Sequence, residues 1–113
     1  MPVSMPFPLF KLAHVIRIAS VVLLFSVASA NAARSGEALY NSYCIACHMN
    51  GVAGAPKFGH PEDWQPRIDK GMDVLLKDAM SGFRAMPPKG LCFDCTEDEL
   101  RSAIQYMIDN SSE

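Results

Sequence analysis

The chain has 113 residues, a length that predicts at most one small domain. Ten lysines and arginines stand against twelve aspartates and glutamates, which gives a formal net charge of −2 at pH 7. This balance argues against nucleic acid as a partner, because proteins that bind nucleic acids carry a basic surface.

The beginning of the chain has the pattern of a secretory signal. Lys11 and Arg17 supply positive charge, and residues 18–27 form an apolar stretch that small residues follow. We therefore predict a signal peptide over residues 1–32, export to the periplasm, and a domain over residues 33–113. The rival interpretation is an uncleaved signal that anchors the protein in the membrane.

Removal of this segment would leave eight basic against twelve acidic residues, a net charge of about −4. A net charge affects the rate at which a protein encounters its partner more than it affects the affinity of the complex. It predicts docking to a partner surface that is basic or largely apolar.

The first helical patterns follow the signal. Ser35 is a suitable N-cap for a helix over residues 36–47. A loop rich in glycine follows it. Pro61 then suits the first position of a short helix that runs to Trp64, and Pro66 should break or kink that helix.

Two further helices are predicted in the second half of the chain. One runs from Met72 to Met80, and Gly82 is suited to stop it. After a second loop, Thr96 and Glu99 form a capping box that begins a helix over residues 97–109. No strand pattern occurs anywhere, so the sequence predicts an all-α fold.

The first helix ends on the most informative motif, Cys44-Ile45-Ala46-Cys47-His48. Two cysteines three positions apart with a histidine beside the second are the attachment signature of a c-type haem. One helical turn places both sulfurs on the same side of the porphyrin, and His48 lies under the iron as an axial ligand. A zinc site or a chance match is the alternative.

The second axial ligand must come from elsewhere in the chain, and Met86 is the best candidate. It lies in a loop beside Pro87 and Pro88, which stiffen the backbone and hold the side chain with little entropic cost. The alternative is that Met86 packs against the porphyrin and leaves the iron open or bound by a histidine. The other methionines near or beyond the motif suit helix cores or lie beside His48; they are Met49, Met72, Met80 and Met107.

Cys92 and Cys95 form a second pair. In an exported protein a structural disulfide is favoured, and it would fix the loop that follows Met86. A catalytic dithiol needs a stabilised thiolate, which the acidic neighbours of this pair oppose. A zinc site lacks further ligands.

Trp64 and Arg67 are candidate contacts to the haem propionates. Trp64 could donate a hydrogen bond and Arg67 could supply positive charge. The alternative is that Trp64 anchors the core and Arg67 is a solvated base.

These residues together resemble the bacterial class I cytochromes c, and most closely the cytochrome c5 family. The specific match is Met86-Pro87-Pro88-Lys89-Gly90 with Cys92-Phe93-Asp94-Cys95. The resemblance implies a small monohaem fold in which the first and last helices cross and the haem lies in a crevice lined by loops. It also implies that His48 and Met86 are axial ligands, that Cys92 and Cys95 form a disulfide, and that the Pro56 carbonyl accepts a hydrogen bond from the His48 ring.

The function implied is single-electron shuttling in the periplasm, between a quinol-oxidising complex and a terminal oxidase or reductase. The protein would be a carrier with one covalent haem c, not an enzyme, and either a monomer or a homodimer. One alternative is a haem-based redox or gas sensor in which Met86 is a labile ligand. Another is a thiol–disulfide protein that uses Cys92 and Cys95.

Overall fold

The computed structural model describes residues 31–112. The predicted signal peptide lies outside the described residues except for its last two positions. Among the described residues, no helix has both the length and the hydropathy that a membrane crossing requires.

Short helices and their connecting turns make up the described chain. The five α-helices are α1 (Gly36–Leu39), α2 (Ile45–His48), α3 (Pro61–Ile68), α4 (Met72–Ser81) and α5 (Glu97–Asp109). A π-helical turn, Tyr40–Cys44, joins α1 to α2, and 3₁₀ turns lie at Val52–Gly54 and Pro88–Leu91. Between residues 31 and 112 the only β pairing is an isolated bridge between Phe83 and Met86. The all-α prediction is therefore confirmed.

Two details of the helices differ from the sequence prediction. The first helix is interrupted by the π-helical turn, in which the Ile45 N–H bonds to the Tyr40 carbonyl; such turns are frequent at functional sites. The second helix does not stop at Trp64 but continues through Pro66 to Ile68. Pro66 is exposed, so the carbonyl group that loses its partner can bond to water instead.

The core consists of two clusters. The main cluster contains the buried residues Leu39, Leu76, Ala79, Cys92, Cys95, Leu100, Ala103 and Ile104. The aromatic cluster contains Tyr40, Trp64 and Met107. α5 contributes to both, and its buried face, Leu100, Ala103, Ile104 and Met107, is the one that the helical periodicity predicts.

The first and last helices pack against each other, and Gly36 lies at their contact. A Cβ atom built on Gly36 would overlap the carbonyl oxygen of Ser102 and would lie 3.1 Å from the Cβ of Tyr106. The backbones of α1 and α5 therefore approach so closely that no side chain fits between them at this position.

An ion pair joins the segment before α1 to the start of α5. The Arg34 Nη2 atom donates to Oε2 of Glu99 at 2.8 Å, and the Arg34 Nε and backbone N–H groups each donate to Oε1 at 3.0 Å. Glu99 also completes the predicted capping box, since it accepts from the Thr96 N–H and donates its own N–H to the Thr96 hydroxyl. Its side chain is only 7% exposed. The hydrogen bonds from Arg34 and Thr96 lower the pKa of Glu99 to about 2.

We expect Glu99→Gln to lower the thermal midpoint by several degrees at pH 7, because Gln cannot pair with Arg34 as an anion. A carboxyl whose pKa is lowered by folding stabilises the protein above its unfolded pKa, near 4.5. That contribution is lost as the pH falls towards 2, so the difference between wild type and variant should shrink there. Thermal melts from pH 7 to pH 2 measure this difference, and a constant difference over that range would contradict the assignment.

Candidate haem site

The two cysteines of the motif lie on one turn of helix. Cys44 closes the π-helical turn, and Cys47 lies within α2. Both thiols are free of disulfide bonds. Cys44 packs partly buried against the aromatic cluster, and burial raises the pKa of its thiol to about 11. It is therefore a protonated thiol at neutral pH, unlike the reactive thiolate of a redox pair.

The ring of His48 is fixed in one orientation. His48 ends α2 and is 8% exposed. Its Nδ1 atom lies 2.9 Å from the carbonyl oxygen of Pro56, and because a carbonyl can only accept, Nδ1 must carry the proton. Burial lowers the pKa of His48, which favours the neutral ring. The Nε2 atom then keeps its lone pair, and no group among residues 31–112 donates to it.

The backbone of the second loop holds Met86 in a tight turn. Phe83 and Met86 exchange two backbone hydrogen bonds, of 3.0 and 2.9 Å. Gly82 allows this turn to close, since it has a φ of +83° and a Cβ there would lie 3.1 Å from both the Met86 oxygen and the Pro88 nitrogen. The Met86 side chain is half-buried against the main cluster.

A disulfide joins Cys92 to Cys95, directly after this loop. Both residues are 2% exposed and belong to the main cluster. The Lys89 ammonium donates a hydrogen bond to the Cys95 carbonyl at 3.0 Å, which links the loop that contains Met86 to the disulfide-bonded segment. Although Asp94 lies close to both sulfurs, the two cysteines are bonded to each other, so neither offers a thiolate to a metal ion.

The two candidate propionate contacts differ in the donors they have available. The only N–H of the Trp64 side chain donates to the Lys57 carbonyl at 2.9 Å, and the ring is 3% exposed. This geometry favours the alternative role of Trp64 as a core anchor. Arg67 uses Nη1 to bond the Asp63 carbonyl at 2.8 Å, but a guanidinium has further N–H groups. A propionate contact of Arg67 therefore stays a prediction.

Tyr40 is a site residue that sequence reasoning did not single out. Its ring is 3% exposed and stacks on Phe58 with 4.6 Å between ring centroids. Within the described part of the chain, its hydroxyl is the only buried side-chain polar atom without a hydrogen-bond partner. Cys44 packs against the same cluster. An unpaired buried hydroxyl near an available thiol, together with the unbonded Nε2 of His48, fits a cofactor attached at this helix.

The comparisons with known proteins agree with this geometry. The family model described as "Cytochrome C oxidase, cbb3-type, subunit III" matches residues 31–107. Cytochrome c5 from Ectopseudomonas mendocina is 52% identical over 77 residues, which are 66% of this chain and 88% of that protein.

Two solved structures share the fold. A mono-haem ferrocytochrome c from Shewanella putrefaciens matches with a TM-score of 0.62 and 46% identity, over 70% of this chain and 96% of that one. A chain in the crystal structure of an electron transfer complex of nitrite reductase with cytochrome c matches with a TM-score of 0.64 and 45% identity, over 67% of this chain and 93% of that one. The chain therefore belongs to the bacterial class I cytochromes c, in the cytochrome c5 family, and is a monohaem electron carrier with one covalently attached haem c.

Proposed function

We propose that this cytochrome is exported to the periplasm and shuttles single electrons between respiratory redox proteins, without being an enzyme itself. The observation that carries the proposal is the arrangement of one helical turn. Two available thiols and a buried histidine, whose Nδ1 is held by the Pro56 carbonyl, lie together on α2 and the turn before it.

In this proposal Cys44 and Cys47 hold the haem through thioether bonds. His48 would offer Nε2 to the iron, because Nδ1–H donates a hydrogen bond to the Pro56 carbonyl, which fixes the tautomer. Met86 would offer its thioether sulfur as the second iron ligand. The haem supplies the reversible exchange between ferric and ferrous iron.

The protein's own residues then determine what this exchange is used for. With His48 and Met86 as its ligands, the iron would have no position left for a substrate. A thioether ligand also favours the ferrous state relative to a second histidine. The rigid turn at Phe83 and Met86 supports such a ligand, since its two backbone hydrogen bonds do not depend on the side chain.

Electron transfer also needs a surface that brings a partner close to the cofactor. We propose that Val52, Ala53, Met86 and Pro87 form the apolar part of that surface, and the 50% exposure of Val52 supports this. A quinol-oxidising complex as donor and a terminal oxidase or reductase as acceptor are the partner classes. The match to a chain in a nitrite reductase–cytochrome c complex supports a reductase as acceptor. A homodimer stays a prediction, as does membrane attachment through an uncleaved signal.

The proposal is tested on protein purified from the periplasm of a host with a complete haem-attachment system. We expect an intact mass that has gained one haem and lost the first 32 residues. The reduced protein should bind no carbon monoxide at neutral pH. Rapid carbon monoxide binding by the wild type would instead support a gas sensor with a labile ligand, and two alkylatable thiols from Cys92 and Cys95 would support the thiol–disulfide alternative.

A further inference from the structure

Two cationic side chains lie over the exposed aromatic ring of Phe83, in the turn that also contains Met86. Phe83 is 41% exposed. The Lys70 ammonium lies 5.0 Å from its ring centroid, and the Arg84 guanidinium carbon lies 5.1 Å from it. Both distances are within the range of a cation–π contact. Lys70 and Arg84 are far apart in sequence, and the packing of the turn after α3 beside the turn after α4 brings them to one ring.

Neither cation has an ion-pair partner in the part of the chain that the structure describes. Between residues 31 and 112, no carboxylate forms an ion pair with Lys70 or Arg84. The acidic residues nearest to Lys70 in sequence have other partners. Asp69 accepts a hydrogen bond from Gln65 at 2.8 Å, and Asp73 pairs with Arg101 at 3.3 Å. Two positive charges that form no ion pair among residues 31–112 therefore lie at one ring, on a chain whose net charge is negative.

The backbone conformation at Arg84 suits glycine better than arginine. Arg84 has a φ of +52°, in the left-handed region that disfavours residues with a Cβ. Glycine would fit this position with less strain. The strained backbone presents the arginine on the outside of the Phe83–Met86 turn, and strain of this kind often accompanies function.

The Phe83 ring also lies close in the chain to Met86, the proposed iron ligand. Phe83 bonds to Met86 through the two backbone hydrogen bonds of the turn. A partner that contacts the Phe83 ring is therefore one short turn away from the methionine. The exposed ring adds apolar contact area to the charge, which suits a docking surface.

We propose that Lys70, Phe83 and Arg84 form a docking site for a carboxylate-bearing surface of an acidic redox partner. The guanidinium donates two parallel hydrogen bonds to a carboxylate, the ammonium adds a second charged contact, and the ring excludes water beside them. The net charge of the chain predicts a basic or apolar partner surface, but the local charge at the turn specifies an acidic one. The role of this site in docking a redox partner rests on the proposed carrier function, whereas its ability to bind carboxylates does not.

The test uses the isotope-labelled holoprotein and a blocked hexaglutamate peptide as probe, at low ionic strength because salt screens such contacts. We expect the peptide to shift the amide resonances of Lys70, Phe83 and Arg84. An uncharged peptide of equal length, built from glutamine and glycine, should leave them unchanged. Shifts spread equally over all the lysines would overturn the proposal.

Matched variants separate a specific site from general charge. Lys70→Glu should weaken peptide binding about tenfold, whereas Lys77→Glu, which changes the net charge equally at another exposed lysine, should weaken it no more than about twofold. Equal losses in the two variants would refute the site.

Arg84→Gly controls for misfolding, because glycine relieves the positive φ. This variant should keep the thermal midpoint of the wild type while losing peptide affinity by about threefold or more. Unchanged affinity would overturn the role of Arg84. None of these titrations requires electron transfer, so a failure of the docking site and a failure of the carrier function are distinguishable.

Discussion

The reduced Met86→Ala protein is expected to bind carbon monoxide at neutral pH, which the wild type should not do. With Met86 as the second iron ligand, as we propose, removal of the thioether would leave the iron without one of its protein ligands. The turn itself should persist, because the hydrogen bonds between Phe83 and Met86 belong to the backbone and Pro87 and Pro88 are unchanged. We also expect a lower reduction potential, since a thioether favours ferrous iron. The loss of a half-buried side chain should cost about 1–2 kcal/mol of stability.

The measurement is a difference spectrum of the reduced protein with and without carbon monoxide, together with the weak ferric absorption band that marks methionine ligation. Met80→Ala is the matched control, because Met80 is another partly buried methionine that packs against the main cluster. The Met80→Ala protein should be less stable than the wild type, but it should not bind carbon monoxide. A reduced Met86→Ala protein that binds no carbon monoxide would show that Met86 is not an iron ligand.

Those parts of the fold that depend on local sequence could be predicted well. α5 has a capping box formed by Thr96 and Glu99 and a regular apolar face, and the structure has both. The limits of α4 follow in the same way from its periodicity and from Gly82. The effect of Pro66 was not predictable, because its cost depends on whether the carbonyl group it leaves unpaired reaches solvent. That exposure is a property of the packed chain.

The same distinction holds for the site. The cysteine pair, His48 and Met86 each stand out through their immediate neighbours, so sequence alone proposes them. The contact between Arg34 and Glu99 joins residues 65 positions apart, and no local pattern indicates it. The unpaired hydroxyl of Tyr40 and the cations around Phe83 likewise depend on tertiary packing. The Pro56 contact was expected only through the family resemblance.

The contact between α1 and α5 leads to the second large prediction, for Gly36→Ala. In an isolated helix this change would be stabilising by up to about 1 kcal/mol. Here the new Cβ would overlap the Ser102 carbonyl, which belongs to the backbone and cannot rotate away. The two helices must therefore separate, and we expect a net loss of about 3 kcal/mol. For a domain of this size that corresponds to a fall of roughly 12–24 °C in the thermal midpoint.

Gly71→Ala is the control, because it replaces a glycine at a position where the new methyl group causes no clash. Gly71 has a φ of +88°, and a Cβ there would meet nothing within 4 Å. Its ψ is 153°, so the backbone lies in a region that essentially only glycine adopts, and the cost should come from backbone strain alone, about 1–3 kcal/mol. Thermal unfolding of the two holoproteins, followed by far-ultraviolet circular dichroism, compares a steric clash with a strained turn. A Gly36→Ala protein as stable as the wild type would show that close contact between α1 and α5 is not what requires glycine at position 36. Gly36 has no positive φ, so a marked loss in Gly36→Ala cannot come from strain of the Gly71 kind. It would place the requirement at the contact between α1 and α5, which positions the helix leading to Cys44.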